Sequence, residues 1–531
     1  MTSKKQATNP TPVNPDRTDW IFLILFLAVV LYTRLALLGM PLERDEGGYA
    51  YIGERLFGTQ HLYSDMLDIK LPGLYFLYWL FNQLPGGYEK SIHLGLLLMH
   101  AGALWVFFMW VRRAFNLSVG VVATVLFAIS AVMPGVYGFA AHATQLIQLP
   151  VMGALYLLWG YIQDEQHRRP IRLVAAGLCL GFAFTVKQPA IVFIFFAIGA
   201  LLWMPGSIFQ RLWRPFILGS ATLVPFGGIV AYFYLQGRFD DFWMWTFTMP
   251  TAQTISGSDT WQYLSDLVPM MIGNHWLFWG LGVLSLAVVP FTGFSGKSKA
   301  WAVSLLVLAI VSAAIGLGFM PHYFIPSIPW AALGIAAGLH WATRGNKTLY
   351  FGAAAVLAAL PILMNSSYFL QPNYAKIMEQ CYHWNGFAEA KAVSLELKKR
   401  LKPGERVAVF GSEPQINYYT GTEHCSPHLF MYPVVRETKY KNQFQQQFLS
   451  DINACNAEYV VLTASEASWI PGFTETPLFK RQLFPKLTEG YDLIGRANIG
   501  QTPLNIVWDE ALKNHNPPQC PPMFVFRKKQ H

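Results

Sequence analysis

The chain has 531 residues, of which 53% are hydrophobic and 15% aromatic while only 13% are charged, about half the charged share of an average soluble protein. That mix excludes a water-soluble surface for most of the chain and makes lipid its solvent. The formal net charge of +9 does not point to nucleic acid, because the Lys and Arg residues sit in short clusters between apolar runs rather than along one face.

The amino terminus carries no evident cleavable leader: the first apolar run, Trp20 to Met40, is too long for the core of a signal peptide and lacks a small-residue cleavage site. It reads as the first of about eleven spanning helices, since roughly 17 to 25 apolar residues cross the hydrocarbon. The runs are 20–40, 90–111, 119–139, 146–162, 172–186, 189–205, 215–235, 266–290, 301–318, 323–341 and 349–364. Residues 1–19 then form a cytoplasmic tail. Basic pairs test this orientation at alternate connections: Lys4 and Lys5, Arg112 and Arg113, Arg168 and Arg169, Arg211 and Arg214, Lys297 and Lys299, Arg344 and Lys347 all fall on one side. The odd number of spans puts residues 365–531 on the opposite, extracytoplasmic face.

Two connections on that face are long, 41–89 and Gln236 to about Asp266, and long ordered loops are usually functional. The first opens Glu43-Arg44-Asp45-Glu46-Gly47-Gly48-Tyr49 directly after a span. A carboxylate at mid-bilayer costs about 2.5 to 3.5 kcal/mol, so an interfacial cavity is the cheaper place for Asp45 and Glu46. There Asp45 can accept a proton from, or orient, an attacking hydroxyl; a solvated or Arg44-paired acid is the structural alternative. Further on, Tyr63-Ser64-Asp65 precedes Lys70-Leu71-Pro72-Gly73-Leu74-Tyr75, a basic group at the interface ahead of a surface or re-entrant helix. Lys70 suits a phosphate, with snorkelling as the alternative. Lys187, between two apolar runs on the same face, needs a cavity or the interface for its ammonium. The second long loop carries Arg238, Asp240 and Asp241 with Phe242, Trp243, Trp245 and Phe247, aromatics that suit anchoring at the interface.

Residues 365–531 change character and read as a small α/β domain. They contain an amphipathic helix at Phe387 to Leu401 and β-rich runs at Arg406 to Phe410, Tyr459 to Thr463 and Met523 to Arg527. Cys381, Cys425, Cys455 and Cys520 lie here, with three disulfide connectivities open to them and no metal-site spacing. Gly411-Ser412-Glu413-Pro414 lacks the full glycine pattern of a nucleotide loop and supports no cofactor.

Three segments together resemble a known family. The acidic pair Asp45-Glu46 with Tyr49-Ala50, then Tyr63-x-Asp65 and Lys70-x-Pro72-Gly73-x-Tyr75, is similar to the first outer loop of bacterial glycosyltransferases related to protein O-mannosyltransferases and to the lipid A aminoarabinose transferase. Thr185-Val186-Lys187-Gln188-Pro189 and His322-Tyr323-Phe324-x-Pro326-x-x-Pro329 are similar to two later patterns of that family, so the resemblance covers roughly Trp20 to Met364. It implies a GT-C fold: a mainly α, polytopic helical bundle as the catalytic module at 20–364, with the extracytoplasmic α/β domain behind it. It also implies a bacterial inner-membrane enzyme that uses a polyprenyl-phosphate sugar donor in cell-envelope or protein glycosylation.

Carried over by position, Asp45 corresponds to the catalytic acidic residue, a base here, with Glu46 beside it and Lys70 as a candidate contact to the donor phosphate; the charge developing on a lipid-phosphate leaving group makes Lys187 and Arg238 further candidates. Tyr49, Tyr63, Asp65, His142, Gln145, His322 and Tyr323 are candidates for substrate binding. The chain departs from the family in two places. Phe139-Ala140-Ala141-His142-Ala143-Thr144-Gln145 stands where many relatives have a second acidic residue, and Gly47-Gly48 stands where some have an Arg. One carboxylate activating an acceptor hydroxyl for direct displacement implies inversion at the anomeric carbon. A monophosphate leaving group can be neutralised by Lys and Arg, so no metal ligand is assigned, although Asp65 and Asp68 leave room for a divalent cation. The acceptor, whether protein, lipid or envelope glycan, is not legible. A transporter or flippase of lipid-linked sugars is the alternative, disfavoured by the lack of an internal repeat; a non-catalytic envelope-assembly protein is another.

Overall fold

The structure is a computed structural model that describes residues 17–166, 168–252, 257–383, 385–469, 479–514 and 520–530. Among these, seven helices are long and apolar enough to cross a bilayer: Arg17–Ala36 (α1), Tyr88–Ala114, Ala143–Gln163, Ile208–Leu235, Thr260–Phe291, Gly296–Ala314 and Lys347–Met364. Leu117–Ser130, Ile171–Val186 and Gln188–Leu202 are shorter apolar helices. With Ile328–Ala342, each of the eleven apolar runs has a helical counterpart. The protein is an integral membrane protein.

Between α1 and the next span lie two short helices, Arg44–Arg55 (α2) and Pro72–Asn82 (α3), which give the first long loop its order. Both have clear local causes. Glu43 caps α2, and Pro72 occupies the first turn of α3, where its missing N–H would be unpaired anyway. The following span, Tyr88–Ala114 (α4), packs beside Leu117–Ser130 (α5).

One run ends earlier than its composition suggests. The apolar stretch 119–139 is helical only to Ser130; Pro134–Val136 is a short 3-10 turn and Tyr137 takes a left-handed φ of 53°. Met133-Pro134-Gly135 supplies the reason, because Pro134 has no N–H to continue the ladder. Hydropathy is blind to that break, since every residue in it is apolar or small. The run 323–341 likewise starts late, at Ile328, after a 3-10 segment Pro321–Ser327 with Pro326 inside it.

Beyond Met364 the chain builds a five-stranded sheet of order β1-β2-β5-β3-β4. The strands are Val407–Phe410 (β1), Tyr459–Thr463 (β2), Tyr491–Asn498 (β3), Asn505–Trp508 (β4) and Pro522–Lys528 (β5). β1 and β2 run parallel, and β5 is antiparallel to both β2 and β3. Helix Phe387–Arg400 buries Ala390, Val393 and Leu397 against Val407, Val409 and Val461. Three of these strands are the β-rich runs of the sequence; β3 and β4 are additional. Cys425 is bonded to Cys455, while Cys381 and Cys520 are free thiols.

This α/β unit sits on α2. Arg44 donates from Nε to the Ser412 carbonyl at 2.8 Å and pairs with Glu413 at 3.3 Å, and the Leu42 N–H donates to the Tyr419 hydroxyl at 3.0 Å. Gly47 permits the close approach: a Cβ there would stand 2.5 Å from the Gln415 Cβ. The Gly411-Ser412-Glu413-Pro414 turn is thus a docking surface for α2.

Candidate active site

The site grows from the amino terminus of α2. The Glu43 carboxylate accepts from the backbone N–H groups of Asp45 at 3.0 Å and Glu46 at 2.8 Å, and Glu46 Oε2 accepts in return from the Glu43 N–H at 3.4 Å. This reciprocal capping box, together with the positive end of the helix, suits three acidic residues in four positions. Burial first, then Asp45 and Glu46, push the Glu43 carboxyl well above its ordinary pKa.

Asp45 and Glu46 then diverge. Glu46 is wholly buried, and its Oε1 accepts from the Ala141 N–H at 2.6 Å and faces His93 Nε2 at 3.1 Å. His93 Nδ1 lies 3.1 Å from the Leu38 carbonyl, so Glu46 joins α2 to α4 and to the segment 131–142. Asp45 is half-buried on the other side of the helix, and its carboxylate has no hydrogen-bond or ion-pair partner among the described residues.

Two lysines face that free carboxylate. Gly73 lets α3 abut the end of helix Ile171–Val186, since a Cβ there would stand 2.3 Å from Thr185 Oγ1. That contact brings Lys70 beside Lys187. Burial pulls the Lys70 ammonium down, but Asp45, followed by Tyr323, Asp68 and Glu43, outweighs it and holds the group above the ordinary lysine value. Lys187 goes the other way: burial, then the charge of Lys70, lower it to about 7 against the pull of Asp45. Its Nζ lies 4.1 Å from the centroid of the Tyr323 ring. Neither ammonium has a carboxylate partner within 4 Å among the described residues.

The segment 131–145 and the 3-10 turn Pro321–Ser327 close the cluster. The rings of His142 and His322 stack at 3.9 Å, nearly parallel at 9°. Burial drives both below the ordinary imidazole value, His142 to about 4, so they are neutral at pH 7. His142 Nδ1 lies 3.9 Å from Glu43 Oε1, and His142 Nε2 and His322 Nδ1 are buried without a partner.

Asp45, Lys70, Lys187, His142, His322 and Tyr323 therefore come together from five separate stretches of chain. The other candidates stand around them. Gln145 donates from Nε2 to the carbonyls of Ala131 and Gly138 at 3.0 and 2.9 Å, holding the segment that carries His142. Tyr49 is buried between Tyr75 and Tyr78 on α3. The Tyr63 hydroxyl donates to the Lys70 carbonyl, while its ring packs on Phe233 and Phe242. Arg238 donates to the Leu62 carbonyl, tying the second long loop to the first, and Asp65 is an exposed turn residue that accepts from the His61 N–H at 2.8 Å.

Sequence reasoning assigned no part in the cluster to several of its neighbours, Asp68 being considered only as a cation ligand. Glu43 was legible as the cap of an E-x-x-E box, and Asp68, buried and accepting from the Tyr75 hydroxyl at 2.7 Å, as the carboxylate beside Lys70. Tyr263 and Arg436 both act electrostatically on Tyr323, Arg436 from the α/β unit, and no local pattern announces either.

Glu43, Asp45 and His142 also offer one ligand atom each, all within 4.8 Å of one another. Ligands of one ion at about 2.1 Å stand up to about 4.2 Å apart, so two carboxylates and a neutral imidazole need only a small inward adjustment to hold a divalent cation. Asp65 and Asp68 do not form such a group among the described residues.

The comparisons with known proteins agree with this architecture. A family model described as dolichyl-phosphate-mannose-protein mannosyltransferase matches residues 70–228, a window that holds Lys70, His142 and Lys187 but not Asp45. Among curated proteins none matches the sequence. The fold is similar to that of ArnT from Cupriavidus metallidurans bound to undecaprenyl phosphate, with 15% identity, a TM-score of 0.60, and coverage of 96% of this chain and 98% of that one. The apo state of ArnT gives 16% identity and 0.61 over the same shares. The apo oligosaccharyltransferase of Archaeoglobus fulgidus gives 11% identity and 0.51 over 93% of this chain and 75% of that one. The chain has the GT-C fold.

Proposed function

We propose that the protein is a membrane glycosyltransferase that moves a sugar from a polyprenyl-phosphate carrier to an acceptor hydroxyl or amine. The observation that carries this reading is the set of three unpaired charges, Asp45 facing Lys70 and Lys187, in a site otherwise made of satisfied or neutral groups. Burying charges without partners is costly, and such groups persist where a ligand completes them. The family match over residues 70–228 and the ArnT-like fold support the same donor class.

In this reaction Asp45 takes the proton of the acceptor as its heteroatom bonds to the anomeric carbon. The bond from that carbon to the phosphate oxygen breaks, and the electron pair leaves with the polyprenyl phosphate. Lys70 and Lys187 neutralise the charge that develops there. One displacement inverts the anomeric centre. Neutral His142 and His322 contribute a flat wall and N–H groups suited to sugar hydroxyls, and Glu46 holds Asp45 in place without touching the substrate.

The site lies at the extracytoplasmic surface of a bacterial plasma membrane, with the α/β unit above it. Support for this orientation is the clustering of Arg112, Arg113, Arg168, Arg169, Lys297 and Lys299 at connections on the opposite side. Reconstitution of the purified protein with a radiolabelled polyprenyl-phosphate sugar tests the reading. Transfer to acceptor with inverted configuration is expected; translocation of the intact donor, or neither event, overturns it, and retained configuration overturns the single displacement.

A further inference from the structure

A groove of ≈ 290 Å³ lies away from the candidate active site, between α1, α4 and α5 and open at the outer face of the bundle. Leu27, Leu97, Leu104 and Trp105 form much of its wall, and it runs from Trp20 near the start of α1 to Arg34, two residues short of the end. Its helices are lipid-facing, with Leu31 49%, Leu98 56% and Trp105 63% exposed.

At the Arg34 end the apolar lining gives way to two hydrogen-bond donors with nothing to donate to. Arg34 and His100 are 3% and 4% exposed. Arg34 Nη1 donates to the Gly138 carbonyl, and Nη2 donates to His100 Nδ1 at 3.2 Å and lies 3.5 Å from Gln145 Oε1. A guanidinium can only donate, so His100 Nδ1 is the acceptor and the proton of this imidazole sits on Nε2. That N–H and the N–H on Arg34 Nε are both buried without a partner, and no carboxylate pairs with Arg34 among the described residues. A buried cation and two orphaned donors at one end of a greasy groove call for an anionic group bearing oxygen acceptors.

We infer that the groove seats one acyl chain of an anionic glycerophospholipid, whose head-group oxygens accept from Arg34 and His100. Length selects this occupant. From Trp20 to Arg34 the helix rises about 21 Å, at ~1.5 Å per residue, which matches one extended acyl chain and is too short for a polyprenyl chain. Depth agrees, because Arg34 stands at the interfacial end of its helix, where a phosphate can reach it with the chain running inward. The bound lipid also touches the site indirectly: Arg34 binds Gly138 and Gln145, which hold the segment that bears His142. The inference does not depend on the proposed transferase activity.

Photolabelling of the full chain in phosphatidylcholine nanodiscs tests it. Two probes at equal mole fraction, phosphatidylglycerol and phosphatidylcholine with a diazirine in one acyl chain, are irradiated and the labelled peptides mapped. Phosphatidylglycerol is expected to label residues 20–31 and 97–108 about 5-fold more than phosphatidylcholine, as one cation near the interface supplies roughly that factor. Ala101→Trp, which fills the groove from an exposed helix position, should reduce labelling to background. Arg34→Met should level the two probes, and His100→Phe serves should Arg34→Met fail to fold. Equal labelling in the wild type, labelling unchanged by Ala101→Trp, or displacement of the probe by an equal amount of undecaprenyl phosphate would overturn the inference.

Discussion

Two stretches of chain that meet at the candidate site build their parts of it by opposite means. The first, residues 41–89, is rich in charge and turn residues and folds into α2 and α3, so that Asp45 and Lys70 are set by a helix cap and a Pro-initiated helix. The second, residues 131–145, holds no Asp, Glu, Lys or Arg, yet it leaves the helical path and places His142 by a backbone held from outside. Its outside fixtures are Arg34 on the Gly138 carbonyl and Glu46 on the Ala141 N–H, and Gln145 at its own end closes it by donating to the Gly138 carbonyl as well. The lesson is that chemistry written as charge can be read from a sequence, while chemistry placed by a break in an apolar run cannot.

The contrast can be sharpened by removing function from the first stretch and support from the second. Lys70→Met should lower kcat/KM for the polyprenyl-phosphate sugar by about 100-fold with little change in thermal stability, because the group is unpaired in the free protein and acts on the leaving phosphate. Steady-state kinetics and a melting curve on the same preparation separate the two quantities. Gln145→Leu should act in reverse order. Losing both donated hydrogen bonds leaves the Ala131 carbonyl short of a partner and the Gly138 carbonyl with Arg34 alone, which should destabilise the protein by about 1–3 kcal/mol and, through a displaced His142, cost roughly 10-fold in kcat. A Gln145→Leu protein that melts like wild type would break the proposed division.

The smallest effect concerns pH. Burial and Lys70 hold Lys187 to about 7, so its charge is present below that value and lost above it. KM for the donor should therefore rise severalfold between about pH 6 and pH 8, to the extent that Lys187 helps bind the phosphate. Lys187→Arg, charged throughout, should flatten that profile; an unaltered slope would assign the titration to another group.

Much of this was legible from residue pattern. The helical character of the eleven apolar runs and the two long loops follow from hydropathy and charge placement, and these together with a family resemblance single out Asp45, Lys70, Lys187, His322 and Tyr323, which the fold brings together. The helix end at Ser130 was not, because Met133-Pro134-Gly135 is as apolar as the span before it. Nor was the different placing of neighbouring acids: Asp45 and Glu46 are consecutive, and only the helix geometry sends one towards Lys70 and Lys187 and the other to His93. Arg238 and Asp65 illustrate the converse, since charged residues on a long loop can hold that loop together instead of joining the charged cluster beside it.

The central claim is that Asp45 is the proton acceptor in sugar transfer. Turnover by purified Asp45→Asn, with the same polyprenyl-phosphate sugar and a melting curve to verify folding, tests it most directly. A loss of at least ~10³-fold in kcat with donor binding retained is the predicted result. Turnover within a few-fold of wild type would contradict the account.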